Sequence, residues 1–452
     1  MRSRLALAAV LAGAISFVGA GPGAGATPAP ATQCAPTANF AAAKTPVAFW
    51  STEARCAIVP AGPAGIFGPE NFGNKFPGEA AVYMGIVHVA IYDAAVAVGG
   101  GYRPYTTTPT APANTSPEAA VATATYATLT GLQPQLGASQ TILDEDYSAY
   151  LGAIPDGRAK SNGVAVGQQV AQAVLALRAN DSRGCSIMLP DLGPPTPGPG
   201  VWQPNQTGPV LGLCLPAMRT LALRSASQFR PDGPNALTGR AYADDVDQVE
   251  SLGRLDSTTR SPAQTNQALF WTDHDIRQWN DGMLELAHDR GLDLVQSARM
   301  LAMAHVAGGD AMIACFDAKY HYWFWRPYQA IPLADTDDNP DTAADTTWQP
   351  LGATPNFPEY PSAHACHSTA VVEALDGFFG SDKVRLTLTS RAPGLPNAAR
   401  VRTYRRLHDV VKDVDWARVL VGFHFRNSDL EGSTLGRKVG RYVADHYFQP
   451  VG

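Results

Sequence analysis

Apolar residues recur along this chain in long blocks of helical spacing, and glycine and proline separate the blocks. One block runs from about Glu79 to Val98 and is stopped by Gly99, Gly100 and Gly101. Ser116-Pro117-Glu118 opens a second, reaching about Thr130, with the proline at the first helical position where its missing N–H costs nothing. Further helices are predicted from about Ser139 to Leu151, Ala159 to Arg178, Gly239 to Leu252, Ser261 to Phe270 and Asp275 to Arg290. Leu292 to Lys319 continues the series, followed by a helix that starts at Ser362 and ends at Phe379 before Gly380, and by Ser433 to Phe448. Alternating, strand-like patterns are scarce. The expected fold class is therefore all-α, a large helical bundle protein with long Pro/Gly-rich loops.

Residues 184–233 form the longest of these loops, centred on Pro194-Pro-Thr-Pro-Gly-Pro-Gly200. A connection of that length either walls a site or wraps the surface, and wrapping is the expectation. The chain also echoes itself. His88-Val-Ala-Ile-Tyr-Asp93-Ala94 aligns without gaps on His305-Val-Ala-Gly-Gly-Asp310-Ala311, and each precedes an aromatic-Arg-Pro element, Tyr102-Arg103-Pro104 and Trp325-Arg326-Pro327. Two related bundles account for the echo, as does chance resemblance between Ala-rich helices. The first reading divides the chain into residues 27–235 and 236–452. His88 and His305 are expected to be packed helix residues rather than ligands.

The amino terminus changes the picture of where the protein works. Arg2 and Arg4 precede a short apolar run, Leu5 to Val18, and cleavage after Ala26 or Ala20 would remove a secretory signal, here taken as residues 1–26. An uncleaved anchor is the competing reading. No other stretch is expected to span a membrane. Loss of the signal moves the net charge from −6 to −8, because two arginines leave with it. An acidic exported protein is a poor nucleic-acid binder, so none is expected among its partners. Six cysteines in such a protein allow disulfides. Cys34–Cys56 and Cys185–Cys214 would each close a local segment, whereas Cys315 and Cys366 fall in helices and are expected to be buried thiols. No cysteine–histidine zinc spacing is present.

The candidate chemistry lies in three ordered stretches. In Lys319-Tyr-His-Tyr-Trp-Phe-Trp-Arg326 the two cations are nearly two helical turns apart, so one helix would present both on one face, with Pro327 as its stop. A guanidinium fork grips two oxygens of an oxyanion and an ammonium acts as a point charge. In Phe357-Pro-Glu-Tyr-Pro-Ser-Ala-His364, Ser362 caps a helix whose free N–H groups favour an anion, and His364 can pass a proton. Arg418 and His424 lie about 120° apart on a straight helix. Gly422 permits the bend that would bring them together. Each stretch alone reads as a solvated face, a capped helix or a core histidine; their order and spacing together do not.

These blocks resemble the superfamily that joins type-2 phosphatidic acid phosphatases with vanadium-dependent haloperoxidases, whose signature is Lys-x6-Arg-Pro, Pro-Ser-Gly-His and Ser-Arg-x5-His-x3-Asp. The resemblance extends to Arg230 to Leu237, Gln264 to Ile331 and Met84 to Tyr105, and is to the soluble bacterial haloperoxidase-like branch. It implies vanadate held on His424, its oxygens bound by Lys319, Arg326, Ser362, the Ala363 N–H and Arg418. It implies His364 as acid–base, Phe357 as a residue shaping the halide position, and hydrogen peroxide and halide as substrates. The alternative is a secreted acid phosphatase, with phosphate in the same cup, a phosphomonoester as substrate and His424 as nucleophile. A protein that only binds an oxyanion is a third reading. Three positions depart from the signature: Ala363 for glycine, Ala417 for serine, and Ser428 where the final aspartate stands, with Asp429 one later. Asp429 is expected to orient His424 from a new angle, or Ser428 to substitute weakly.

Overall fold

The structure, a computed structural model, describes residues 45–60, 73–106, 109–136, 140–205 and 208–451. The signal segment and Cys34 lie outside the described residues. Thirteen α-helices and one small hairpin build the described chain. The helices are α1 Pro46–Ile58, α2 Pro77–Gly99, α3 Pro117–Leu136, α4 Gln140–Gly152, α5 Arg158–Leu177, α6 Arg240–Gly253 and α7 Pro262–Phe270. They continue as α8 Asp275–Asp289, α9 Leu294–Tyr322, α10 Pro327–Ala330, α11 Ala363–Phe379, α12 Leu407–Leu420 and α13 Arg426–His446. The all-α expectation holds. Helices α1 and α12 and the antiparallel hairpin of β1 Leu386–Thr389 and β2 Val401–Tyr404 were not foreseen. Helix α13 starts at Arg426 rather than Ser433, because its polar first turns carry no apolar period.

Helix α9 is the axis of the molecule. It is flanked by α2 on one side and by α11 and α13 on the other. The main apolar core runs without a break from Val47 to Phe448 and draws on both halves of the chain. Helix α2 is long and apolar enough to cross a membrane by composition, against the expectation, but 89% of that window is buried inside the protein. The internal echo is packed against itself. Gly85 abuts the His305 carbonyl and Gly309 abuts Ala81 and Val82, so α2 and α9 run in opposite directions. His88 and His305 stack where they cross, their ring centroids 4.0 Å apart. Both are buried packing residues, as expected. Asp93 accepts the N–H groups of Tyr105 and Thr106, and Asp310 those of Leu221, Ala222 and Leu223. Each copy of the echo thus clamps a loop with a buried carboxylate.

Small residues let α13 lie directly on α11. A methyl group at Gly432, Gly436 or Gly440 would overlap the carbonyl oxygens of Ser362, Cys366 and Ala370. The stripe repeats every four residues, so it forms one face of the helix. That contact fixes the start of α11 against the start of α13. Cys185 and Cys214 are bonded, with Cα atoms 5.8 Å apart, and Cys315 and Cys366 are buried thiols, as expected. The long 184–233 loop does not merely wrap the surface. Its Trp202 N–H and Gly200 carbonyl bond to Trp323 and Trp325, and Asn356 Nδ2 donates to Gly208. It therefore backs the two segments that lead to Arg326 and Phe357.

Gly436→Ala should force α13 away from α11 and lower unfolding stability by about 1–3 kcal/mol, as overpacking does; urea denaturation measures it, and an unchanged midpoint would refute the close approach. A second expectation concerns pH. His408 bridges Glu373 Oε1 at 2.9 Å and Asp382 Oδ1 at 2.7 Å. Glu373 first, then Asp382, outweigh partial burial and raise its imidazole to about 9. A folded value above the unfolded one means this stabilisation is complete below about pH 6.5 and fades as pH climbs through about 9. Thermal unfolding should show that decline in the wild type and a weaker one in His408→Gln.

Candidate active site

The ends of α9 and α12 meet the first turns of α8, α11 and α13 in one buried cup. Lys319 leaves the last turn of α9, but Arg326 does not share its helix. Helix α9 ends at Tyr322, Trp323 takes a left-handed conformation at φ 52°, and Arg326 caps the short α10. The expected single helical face is therefore wrong, because the chain turns back before Pro327 could stop it. The reversal still delivers both cations to the same place. The Phe357 ring lies 5.1 Å from Lys319 Nζ and 4.8 Å from Arg326 Cζ, so its π-face supports both charges.

Burial is complete or nearly so: Lys319 and Arg326 are 0% exposed and Arg418 2%. Burial pushes Lys319 down to about 8 and Arg326 and Arg418 down to about 10, which leaves all three charged at neutral pH. Backbone carbonyls share the load. Lys319 Nζ donates to Pro358, Glu359 and Pro361 at 3.1, 2.8 and 2.5 Å, so each of its protons is committed to the loop before α11. Arg326 donates to Phe357 and Phe423, and Arg418 to Trp271. Helix α12 ends at Leu420, and Gly422 at φ 81° turns the chain, with His424 N–H returning to the Arg418 carbonyl. The bend expected at Gly422 is present, and it brings Arg418 and His424 into one site.

Several polar atoms in this cup have no protein partner: Arg326 NH2, Arg418 Nε, Ser362 Oγ and His364 Nε2. A buried donor left unpaired costs about 1–3 kcal/mol. Ser362 Oγ faces the Asp429 carboxyl without reaching ordinary hydrogen-bond geometry. Ser362 is the N-cap of α11 but does not cap it with its side chain, so the first-turn N–H groups from Ala363 onward also face the cup. Ala363 takes the first helical position with its methyl in the apolar core. Unpaired donor atoms beside buried cations, around one helix start, fit a small tetrahedral or trigonal-bipyramidal oxyanion such as vanadate or phosphate.

The two histidines are set differently. His424 Nδ1 lies 2.8 Å from Glu359 Oε1, and its Nε2 lies 3.5 Å from Arg326 NH1. Burial, then the charges of Arg326, Lys319 and Arg418, hold His424 well below the usual imidazole value, so it is neutral. His364 is partly accessible. Burial and Arg418 push it down to about 3, so it is a neutral imidazole until an anion arrives. Asp275 at the start of α8 faces it; burial raises its carboxyl, but His367, 3.2 Å away, pulls it below the usual carboxylate range.

Neither expected partner touches the His424 ring. Asp429 faces Ser362 and Arg418 instead, and burial, then Asp415, push its carboxyl well above the usual carboxylate range. Ser428 Oγ reaches Glu359 Oε2 at 2.5 Å rather than the imidazole. Glu359 and Asp275 were missed. A lone charge between prolines and aromatics, Phe357-Pro-Glu-Tyr-Pro361, was the signal for the first; Asp275 read only as a helix start.

Comparison with known proteins matches this architecture. Residues 299–452 fit the family model described as the VCPO second helical-bundle domain. The vanadium chloroperoxidase of Curvularia inaequalis is 28% identical over 309 residues, 55% of this chain and 49% of that protein. The chain thus spans about half the length of that relative. Among solved structures, a bacterial vanadium-dependent iodoperoxidase superposes with a TM-score of 0.69 at 22% identity, covering 90% of this chain and 96% of its own. A holo-type bacterial vanadium-dependent chloroperoxidase gives 0.64 at 17%, over 82% and 92%. At these identities the superpositions speak for the fold.

Arg326→Lys keeps the charge and removes the fork. Isothermal titration with inorganic phosphate should show about 10–100-fold weaker binding, the equivalent of losing a charge-assisted bond of ~1.5–3 kcal/mol. Undiminished affinity would place the anion elsewhere.

Proposed function

We propose that this chain belongs to the superfamily joining type-2 phosphatidic acid phosphatases with vanadium-dependent haloperoxidases and is a vanadium-dependent haloperoxidase, a reading supported by its similarity to vanadium haloperoxidases. The observation that carries the reading is a set of buried polar atoms left unpaired on Arg326, Arg418, Ser362 and His364, with Arg326 NH1 3.5 Å from His424 Nε2. Arg326 and Arg418 would neutralise the oxygens of a bound vanadate, while Ser362 Oγ and the Ala363 N–H donate to them. Lys319 sets the electrostatic potential and holds the loop; one of its carbonyl bonds would have to yield for direct contact. His424 Nε2, a neutral lone pair, would be the ligand. When bound, vanadate supplies the activation of hydrogen peroxide toward two-electron oxidation of a halide. His364 Nε2, unpaired and backed by Asp275, would take and return the peroxide proton. The Phe357 ring lies against the cations, where it would border the halide.

The same donors would hold the phosphoryl group of a phosphomonoester, with His424 attacking phosphorus and His364 protonating the leaving oxygen. The haloperoxidase reading is preferred because the matched relatives are haloperoxidases and the fold match extends over the long helical half before the site. We read the protein as exported, supported by the Arg2/Arg4 and Leu5–Val18 pattern.

Purified protein loaded with orthovanadate should brominate a phenolic dye with hydrogen peroxide, and the metal-free protein should not. Nitrophenyl phosphate hydrolysis inhibited by vanadate would favour the phosphatase instead. His424→Ala should abolish the activity, with a loss of at least about 10³-fold on the scale of other site residues that act as a unit, while His321→Ala, exposed on α9, should retain it.

A further inference from the structure

Glu359 is bound at both ends. Its backbone N–H donates to the Phe324 carbonyl at 2.9 Å, and its own carbonyl accepts from Lys319 Nζ. Its side chain is fully buried. Oε1 lies 2.8 Å from His424 Nδ1 and accepts from the Phe425 N–H at 3.1 Å, and Oε2 accepts from Ser428 Oγ. All three groups lie at the turn from α12 into α13, so one carboxylate ties the loop before α11 to the element that carries the histidine.

We infer that Glu359 is the positioning residue of this site: it keeps the N–H of His424 on Nδ1 and so leaves Nε2 as a bare lone pair aimed into the cup, with Ser428 clamping the carboxylate against rotation. A neutral imidazole carries one N–H, and whichever nitrogen has it is useless as a ligand or nucleophile. Without a fixed acceptor at Nδ1, the proton can sit on Nε2 and block the central atom of any oxyanion. A carboxylate behind the ring also raises the basicity of the other nitrogen, the way partners behind metal-bound histidines act. Asp429 cannot do this from its place. It follows Ser428 by one residue in the first turn of α13, and one residue is about 100° around a helix, which turns it toward Arg418. The consequence for binding rests on the oxyanion-site reading given above; the tautomer itself does not.

The test uses the full chain with ¹⁵N-labelled histidine, the His424 signals being assigned by their loss in His424→Ala. Nitrogen shifts at neutral pH should show Nδ1 protonated and Nε2 bare. Glu359→Ala should mix or reverse that pattern and weaken inorganic phosphate binding about 10–100-fold by calorimetry. Glu359→Gln, whose amide oxygen can still accept from Nδ1, should keep the tautomer and most of the affinity. Asp429→Asn should leave the tautomer as it is. Where Glu359→Ala does not fold, Glu359→Asp withdraws the carboxylate by one methylene and should disturb the tautomer likewise. A wild-type His424 protonated on Nε2, an unchanged tautomer in a folded Glu359→Ala, or a shift in Asp429→Asn would each overturn the inference. Because the spectrum is read without vanadate, peroxide or halide, failure of the haloperoxidase reading would leave it standing.

Discussion

Gathering Lys319, Arg326 and Arg418 into one volume without water is the constraint around which the site is built. Three like charges repel, and each loses its hydration. The chain answers with groups that cost little. Carbonyls from Phe357, Pro358, Glu359, Pro361, Phe423 and Trp271 turn inward, and the Phe357 and Phe423 rings lie against the guanidinium planes. These carbonyls are available because the segments bearing them are irregular: the loop before α11, the turn after α12, the residue after α7. An irregular backbone deep in the protein must find donors somewhere, and the cations supply them. The loop and the charges therefore stabilise one another. What remains unsatisfied after this exchange is Arg326 NH2 and Arg418 Nε.

The helices that hold those segments in place owe their precision to small residues. The Gly432, Gly436 and Gly440 face of α13 seats against carbonyls of α11, and its first contact is the Ser362 carbonyl itself. Ser362 N–H returns a bond to the Ser428 carbonyl. The helix start that faces the anion is thus pinned by the neighbouring helix start, not only by its own sequence. On the far side, α2 supports α9 through the stacked His88 and His305 and through Ser51 and Asn280, which complete their hydrogen bonds. The echoed segment in α2 performs a supporting task beside the copy whose helix goes on to Lys319.

Much of this was legible in the sequence, because it depends on local rules. Apolar period, proline starts and glycine stops placed most helices within a few residues, and the spacing of Arg418, Gly422 and His424 announced a bend. What was not legible depends on contacts between distant segments. Nothing in Lys319 to Arg326 announces that Trp323 turns left-handed; that conformation is supported by the 184–233 loop, whose residues bond Trp323 and Trp325. The short hairpin has four-residue strands, too brief for a period to register. Reading Asp429 as the histidine's partner assumed that a partner follows its histidine in sequence, whereas a buried hydrogen bond requires only proximity.

The departures from the family signature make sense once that assumption is dropped. Glycine at position 363 would matter if the backbone there were left-handed, but Ala363 begins a regular helix and its methyl fills the core, so the N–H is retained at no conformational cost. Serine at 428 would be a poor direct partner for an imidazole, being a weaker acceptor than a carboxylate. As a donor to Glu359 it is well suited, since a carboxylate with one oxygen on His424 and Phe425 needs a donor for the other. The two changes are then parts of one arrangement, in which the carboxyl group behind the histidine comes from the loop before α11. A carboxylate in that loop also sits beside the loop carbonyls that clamp Lys319, so the anion-binding helix, the cation and the histidine share a single support.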